Sequence, residues 1–170
     1  MEPDLDFRSS DGTLAVTLPS SRLDEMLAHC RAAGDAETGG ILIGRYTERL
    51  DRAVVTEITG PPGDSRATRT GFRRGVRGLR ALVSTVWRER GEFYLGEWHF
   101  HPGASASPSD VDRAQMRAFA ANSLHQCPEP ILVVIGGDPE TEWDLSASVT
   151  RDEELIALGL AFRVPDIGQQ

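Results

Sequence analysis

Two hydrophobic periods alternate along this chain, and no other feature constrains its fold as tightly. "SSRLDEMLAHCRAA", residues 20–33, sets Leu23, Met26, Leu27 and Cys30 at the 3-4 spacing of an amphipathic helix, with serines available as caps and Gly34 as its end. "GGILIGRYTERL" and "RAVVTEITG" read as strands, and the unbroken "ILI" run marks one covered on both faces. "PPGDSRATRTGF" has the Pro, Gly, Asp and Ser of a surface loop. A second helix is predicted over residues 74–90, with Val76, Leu79, Leu82, Val83 and Val86 on one stripe. "EFYLGEWHFH" is a strand by its aromatic content, followed by a bend and a helix in "SPSDVDRAQMRAFAANSL", with Ser107 as cap and Pro108 as first helical residue. "PILVVIGG" and "TEWDLSASVT" are strands, while "EELIALGLAFR" fits either element. This order predicts an α/β fold, a mixed central β-sheet flanked by α-helices in two or three layers.

The 170 residues are read as one domain, 1–170, a length that buries about two-thirds of the surface the unfolded chain exposes. No window approaches the ~20 consecutive apolar residues of a membrane span. The acidic start "MEPDLDFRSSDG" lacks the basic and apolar regions of a secretory signal, so the expected location is the cytoplasm, with no membrane partner. Cys30 and Cys127 fit no zinc spacing and look like buried small residues of a reducing compartment, so any metal must be held by His and carboxylate. A net charge of -8 argues against nucleic acid, which rewards a basic face through counterion release. From Ser65 to Arg88 there is no acidic residue, yet Arg66, Arg69, Arg73, Arg74, Arg77, Arg80 and Arg88 all fall there. Such a run is either the solvated face of a helix or a docking surface for an acidic partner.

The chemistry concentrates in "GEWHFHPGASASPSDVD", residues 96–112. On a strand successive side chains alternate, so His99 and His101 leave one face while Trp98 and Phe100 leave the other. At strand rise the two imidazoles stand roughly 6 to 7 Å apart at Cα and can converge on one ion. Ser109 and Asp112 lie one turn apart at the start of the following helix, which the bend can fold back over the histidines. Three protein ligands that leave a fourth position to water are what a catalytic zinc needs. A general base is still required. Glu37 in "AETGGILIG" and Glu97 on the histidine face are the candidates, and Glu37 ranks first because a base on a separate segment need not occupy a ligand position.

Glu37 followed by Gly40, Leu42 and Gly44, then His99, His101, Pro102, Ser109 and Asp112, resembles the JAMM (MPN+) motif of the JAB/MPN/Mov34 metalloprotease family, in its prokaryotic JAB branch. The motif's order is E, H-x-H-P, seven residues between the second His and the Ser, and S-x-x-D, and every position is filled. The resemblance spans residues 20–150 and implies a cytidine-deaminase-like architecture. It implies one Zn2+ per chain on His99, His101 and Asp112, water activation by Glu37, and support of the oxyanion by Ser109. Phe100 departs from the small Ser or Thr common between the histidines, and Gly103 and Ala104 replace charged residues of some relatives; no ligand is touched.

What the resemblance implies in function is hydrolysis of a peptide or isopeptide bond after the C-terminal glycine of a ubiquitin-like protein, in deconjugation or precursor processing. The setting it implies is a bacterial ubiquitin-like conjugation system of the anti-phage CBASS kind, with E1-like and E2-like proteins as further partners. The family also contains metal-free scaffolds, which have lost ligands, and zinc hydrolases that release an amino acid from a sulfur-carrier protein. His29 and His125 have no such company and are expected to be ordinary helix residues.

Overall fold

A computed structural model describes residues 4–161. Strands β1 (Leu5–Arg8) and β2 (Ala15–Leu18) precede helix α1 (Ser20–Ala33), which coincides with the predicted span. Strands β3 (Thr38–Tyr46) and β4 (Arg52–Ile58) follow, then a short hairpin of β5 (Arg66–Thr68) and β6 (Gly71–Arg73). Helix α2 (Leu79–Arg90), strand β7 (Phe93–Pro102) and helix α3 (Asp110–Ala121) lead to β8 (Ile131–Gly137), β9 (Trp143–Arg151) and β10 (Glu154–Ala161). The ambiguous segment is therefore a strand from Glu154 to Ala161, and its last two residues lie outside the described ones.

The fold is mixed α/β, as the alternating periods require, with one large sheet flanked by helices. That sheet closes on itself in the order β1-β10-β9-β8-β7-β3-β4-β2, with parallel pairs at β2–β4 and β7–β8 and antiparallel pairs elsewhere. Inside lies the main core, where the α1 stripe of Leu23, Met26, Leu27 and Cys30 packs with Leu42, Leu95, Trp98, Phe100 and Ile135. Outside, α2 covers Ile41 and Ile43 through Val86, and α3 covers Leu132 and Val134 through Met116. Each of these strands thus buries both faces, which is why "ILI" and "ILVVI" carry no polar alternation.

Three expectations change. The second helix starts at Leu79 instead of residue 74, because Asp64 accepts hydrogen bonds from the Val76 and Arg77 amides and holds that stretch as loop. The arginine run is consequently not one helix face, since Arg66 to Arg77 lie in the hairpin and the loop after it. Helix α1 has Pro19, not a serine, at its N-cap, and the Ser20 amide donates to Asp4 Oδ1 at 3.3 Å. Both cysteines are free and buried, and burial pushes each thiol up to about 12, consistent with inert core residues. His29 does lie in α1, tilted against Trp98, while His125 ends a short 3-10 turn.

Candidate functional site

β7 sets the histidines by simple alternation. Trp98 and Phe100 enter the main core, while Glu97, His99 and His101 leave by the other face and are buried there by what lies above. β3 runs antiparallel beside β7 with Gly39 opposite His99 and Thr38 opposite Phe100. One further step of that register brings Glu37, just before β3, opposite His101. The Glu37 amide donates to the Thr68 carbonyl of the hairpin at 2.8 Å. A Cβ at Gly39 would stand 2.3 Å from the Trp98 carbonyl and 3.1 Å from the His99 ring, so only glycine leaves room for that imidazole.

The other half of the site arrives with α3. Gly136 of β8 pairs with His101, and a Cβ there would meet the Ala106 amide at 2.4 Å and the Ala104 carbonyl at 2.5 Å. The bend of residues 103–107 therefore lies directly on the sheet and returns α3 over the histidines. The cap of that helix is Ser109, not Ser107, and Pro108 precedes the helix instead of opening it. Ser109 wins because Asp112 stands three residues on. The Asp112 amide donates to Ser109 Oγ at 3.1 Å, and the Ser109 amide and hydroxyl both donate to Asp112 Oδ2 at 2.7 Å, a reciprocal capping box.

This box aims the Asp112 carboxylate at both histidines. Oδ1 lies 2.7 Å from His99 Nδ1, and Oδ2 lies 3.3 Å from His101 Nε2. His101 Nδ1 lies 3.4 Å from the Ser105 carbonyl. One ligand atom from each of His99, His101 and Asp112 falls within 4.8 Å of the others, and all three residues are buried. Around a four-coordinate ion with ligands at ~2.0–2.2 Å such atoms stand roughly 3.3 Å apart, so a small inward closure suffices. Two imidazoles and one carboxylate, dry and converging, fit a metal ion.

Electrostatics agree with the geometry. Burial alone would push the Asp112 carboxyl up, but hydrogen bonds from His101, His99 and Ser109 outweigh it and hold the group far below the usual carboxylate range. The Asp112 hydrogen bond raises His101. Glu37, half-buried, is pushed up by burial; the charge of His101 opposes this, that of Asp112 adds to it, and that of His99 opposes it. Glu37 thus stands in the field of all three. The rival base Glu97 is otherwise engaged: Arg74 Nε donates to one of its oxygens at 2.6 Å and the Tyr94 hydroxyl to the other at 2.7 Å.

Sequence reasoning missed the hairpin wall. Phe72 of β6 meets His99 edge-on at 5.9 Å between ring centroids. The adjacent glycines of "ETGG" were the available signal, since glycine inside a strand marks close approach of another element. A cleft of about 300 Å³ between α3 and the β9–β10 turn, lined by Arg113, Arg117, Thr150 and Glu153, shares no residue with this site.

Comparison with known proteins adds names to this geometry. The family described as prokaryotic homologs of the JAB domain matches residues 19–147. A protein of Enterobacter hormaechei subsp. hoffmannii named CD-NTase/cGAS isopeptidase is 48% identical over 147 residues, covering 86% of this chain and 81% of that one. A Sinorhizobium fredii protein named probable metalloprotease y4qB is 28% identical, covering 74% of this chain and 77% of its own. The solution structure of protein DSY2949 from Desulfitobacterium hafniense superposes with a TM-score of 0.54 at 22% identity, over 81% of this chain and 85% of that one, a likeness of fold.

Proposed function

This chain belongs to the family of prokaryotic homologs of the JAB domain, and from that premise we propose that it is a zinc isopeptidase. Its substrate is a conjugate or precursor joined through the C-terminal glycine of a ubiquitin-like protein. The single observation that carries this reading is the buried convergence of His99, His101 and Asp112 within 4.8 Å. The name of the Enterobacter relative supports an isopeptidase and points to a CD-NTase/cGAS protein as the conjugated target. E1-like and E2-like proteins would build that conjugate. Residues 1–170 act as one domain, in the cytoplasm; among the described residues no helix is long and apolar enough to cross a membrane.

His99, His101 and Asp112 are the ligands, and zinc suits two imidazoles with one carboxylate. When bound, the ion supplies Lewis acidity to the scissile carbonyl and acidifies water. Glu37 is the general base. Its carboxylate takes the proton of the attacking water and returns it to the leaving amine. Ser109 holds Asp112 and can turn its hydroxyl proton toward the oxygen that gains charge as the carbonyl is attacked.

The modifier tail runs extended along a strand edge beside the site. The main sheet closes into a ring, and among the described residues β6 pairs with β5 alone, so its outer edge is the one open next to His99. A bulky residue in place of the modifier's penultimate glycine abolishes cleavage; undiminished cleavage rules out a narrow channel at that point. The decisive experiment measures zinc content and cleavage of a ubiquitin-like protein fused to a reporter through its diglycine tail, in wild type and Glu37→Ala. One zinc per chain, with cleavage lost in the variant, is the expected result. A protein that takes up no zinc on reconstitution is a scaffold instead.

A further inference from the structure

Glu97 is a buried carboxylate that this hydrolytic scheme leaves unused, and its partner Arg74 touches several parts of the molecule at once. Arg74 Nε donates to Glu97 Oε2 at 2.6 Å and its Nη1 donates to the Gly75 carbonyl at 2.7 Å. The guanidinium carbon stands 5.8 Å from the ring centroid of Phe119 on α3. The side chains of the pair are 13% and 1% exposed, so the bond is shielded from water. Tyr94 completes the cluster through Glu97 Oε1. Tyr94 and Glu97 share a face because the β3–β7 register slips there: Leu42 pairs with Gly96 and Ile43 with Tyr94, leaving Leu95 as the extra residue of a bulge.

The loop that Arg74 closes reaches the reacting groups at its tip. At the neck, Asp64 accepts from the Val76 and Arg77 amides at 3.1 and 3.0 Å, and Ser65 Oγ accepts from the Gly75 amide at 2.9 Å. Residues 64–77 thus form one stitched unit with the β5–β6 hairpin inside it. At its far side the Thr68 carbonyl holds the Glu37 amide, and Phe72 packs on His99. β5 is exposed along its length and β6 is only partly covered, so apolar burial does little to fix the hairpin against the body. The buried polar anchor does that instead.

We infer that Arg74 is a positioning residue for the hydrolysis: seated on Glu97, it holds the 64–77 loop where Thr68 fixes Glu37 and Phe72 walls His99. This rests on the isopeptidase reading for its consequence but not for its geometry. Arg74 touches no substrate and works through the loop.

Arg74→Ala alone leaves the buried Glu97 carboxyl without its ionic partner and can unfold the chain. The informative variant is R74M/E97Q, which removes both charges and keeps the bulk. Amide exchange over residues 35–39 and 64–73, melting temperature, zinc content and steady-state turnover of the diglycine fusion are measured for it and for wild type. Exchange in those two segments is expected to quicken at least 10-fold, with one zinc per chain retained and kcat lowered 10- to 100-fold at temperatures where both proteins are folded. Unchanged exchange and unchanged kcat in the folded variant overturn the inference. So does a rise in exchange spread evenly over the chain, which a purely structural role produces. The exchange readout needs no activity. A wild type that cleaves nothing, with exchange still quickened at 35–39 in the variant, sinks the isopeptidase reading and leaves the anchor standing.

Discussion

On its inner face β7 buries Trp98 and Phe100 among Leu18, Met26, Leu42 and Ile135; on its outer face it carries Glu97, His99 and His101, each held by one or two polar partners. The inner face gains from many contacts that substitute for one another, because burial is non-directional and proportional to area. The outer face depends on individual bonds whose loss leaves a buried polar group unmet. One strand therefore separates the packing that keeps the chain folded from the polar side chains of the candidate site.

Removing a group from the outer face tests that separation most strongly. His101→Ala is expected to abolish zinc retention and all turnover while the metal-free melting temperature changes by only a few degrees, checked by metal analysis and thermal unfolding. The inverse change comes next. Trp98→Ala deletes the inner anchor and its indole bond to the Thr59 carbonyl, at 2.8 Å, and is expected to cost about 3–5 kcal/mol in denaturant unfolding. Zinc binding by the folded fraction persists. If Trp98→Ala instead spares stability and ejects the metal, the two faces are not independent.

A third comparison lies at the far side of the ring. Burial alone would raise Asp6 of β1, but hydrogen bonds from Arg52 and Arg8 outweigh it and hold its carboxyl below the ordinary value. A group lowered in the folded state adds stability above its unfolded pKa, about 3.9, and that contribution fades as pH falls through the folded value. Melting temperatures of wild type and Asp6→Asn should accordingly differ most above pH ~5 and converge below pH ~4. A gap that stays constant with pH assigns the difference to packing. The smallest expected effect is at the surface. Charge reversal at Arg73, Arg77 and Arg80, all exposed, should raise KM a few-fold at low salt and less at high salt if they meet an acidic face of the modifier or target. A salt-independent KM leaves them as solvated charge.

The parts legible in the sequence were those with local causes. Helix α1 follows from the spacing of Leu23, Met26, Leu27 and Cys30, and the common face of His99 and His101 follows from the period of a strand. The S-x-x-D spacing of Ser109 and Asp112 puts a capping box and a candidate ligand in the same turn. β1, β2, β5 and β6 were not legible, being three or four residues long, too short for alternation to declare itself. Arg74 was read as part of a helix because its ionic partner lies 23 residues away, a contact no local pattern encodes.

The sequence by itself determined which side chains are candidates to act: two histidines, an aspartate and its serine in one order and spacing, with a glutamate upstream. Their types and periods are properties of neighbouring residues, and neighbouring residues fix backbone torsions. Only the tertiary structure decided that Glu37 stands beside the three and that Glu97 does not compete. Those outcomes depend on the register of β3 against β7, on a bend lying flat upon Gly136 and on a guanidinium arriving from a distant loop. The register follows from burying both sheet faces at once, the bend from the missing side chain at Gly136, and the guanidinium from a buried ion pair, and none of the three is a property of neighbouring residues.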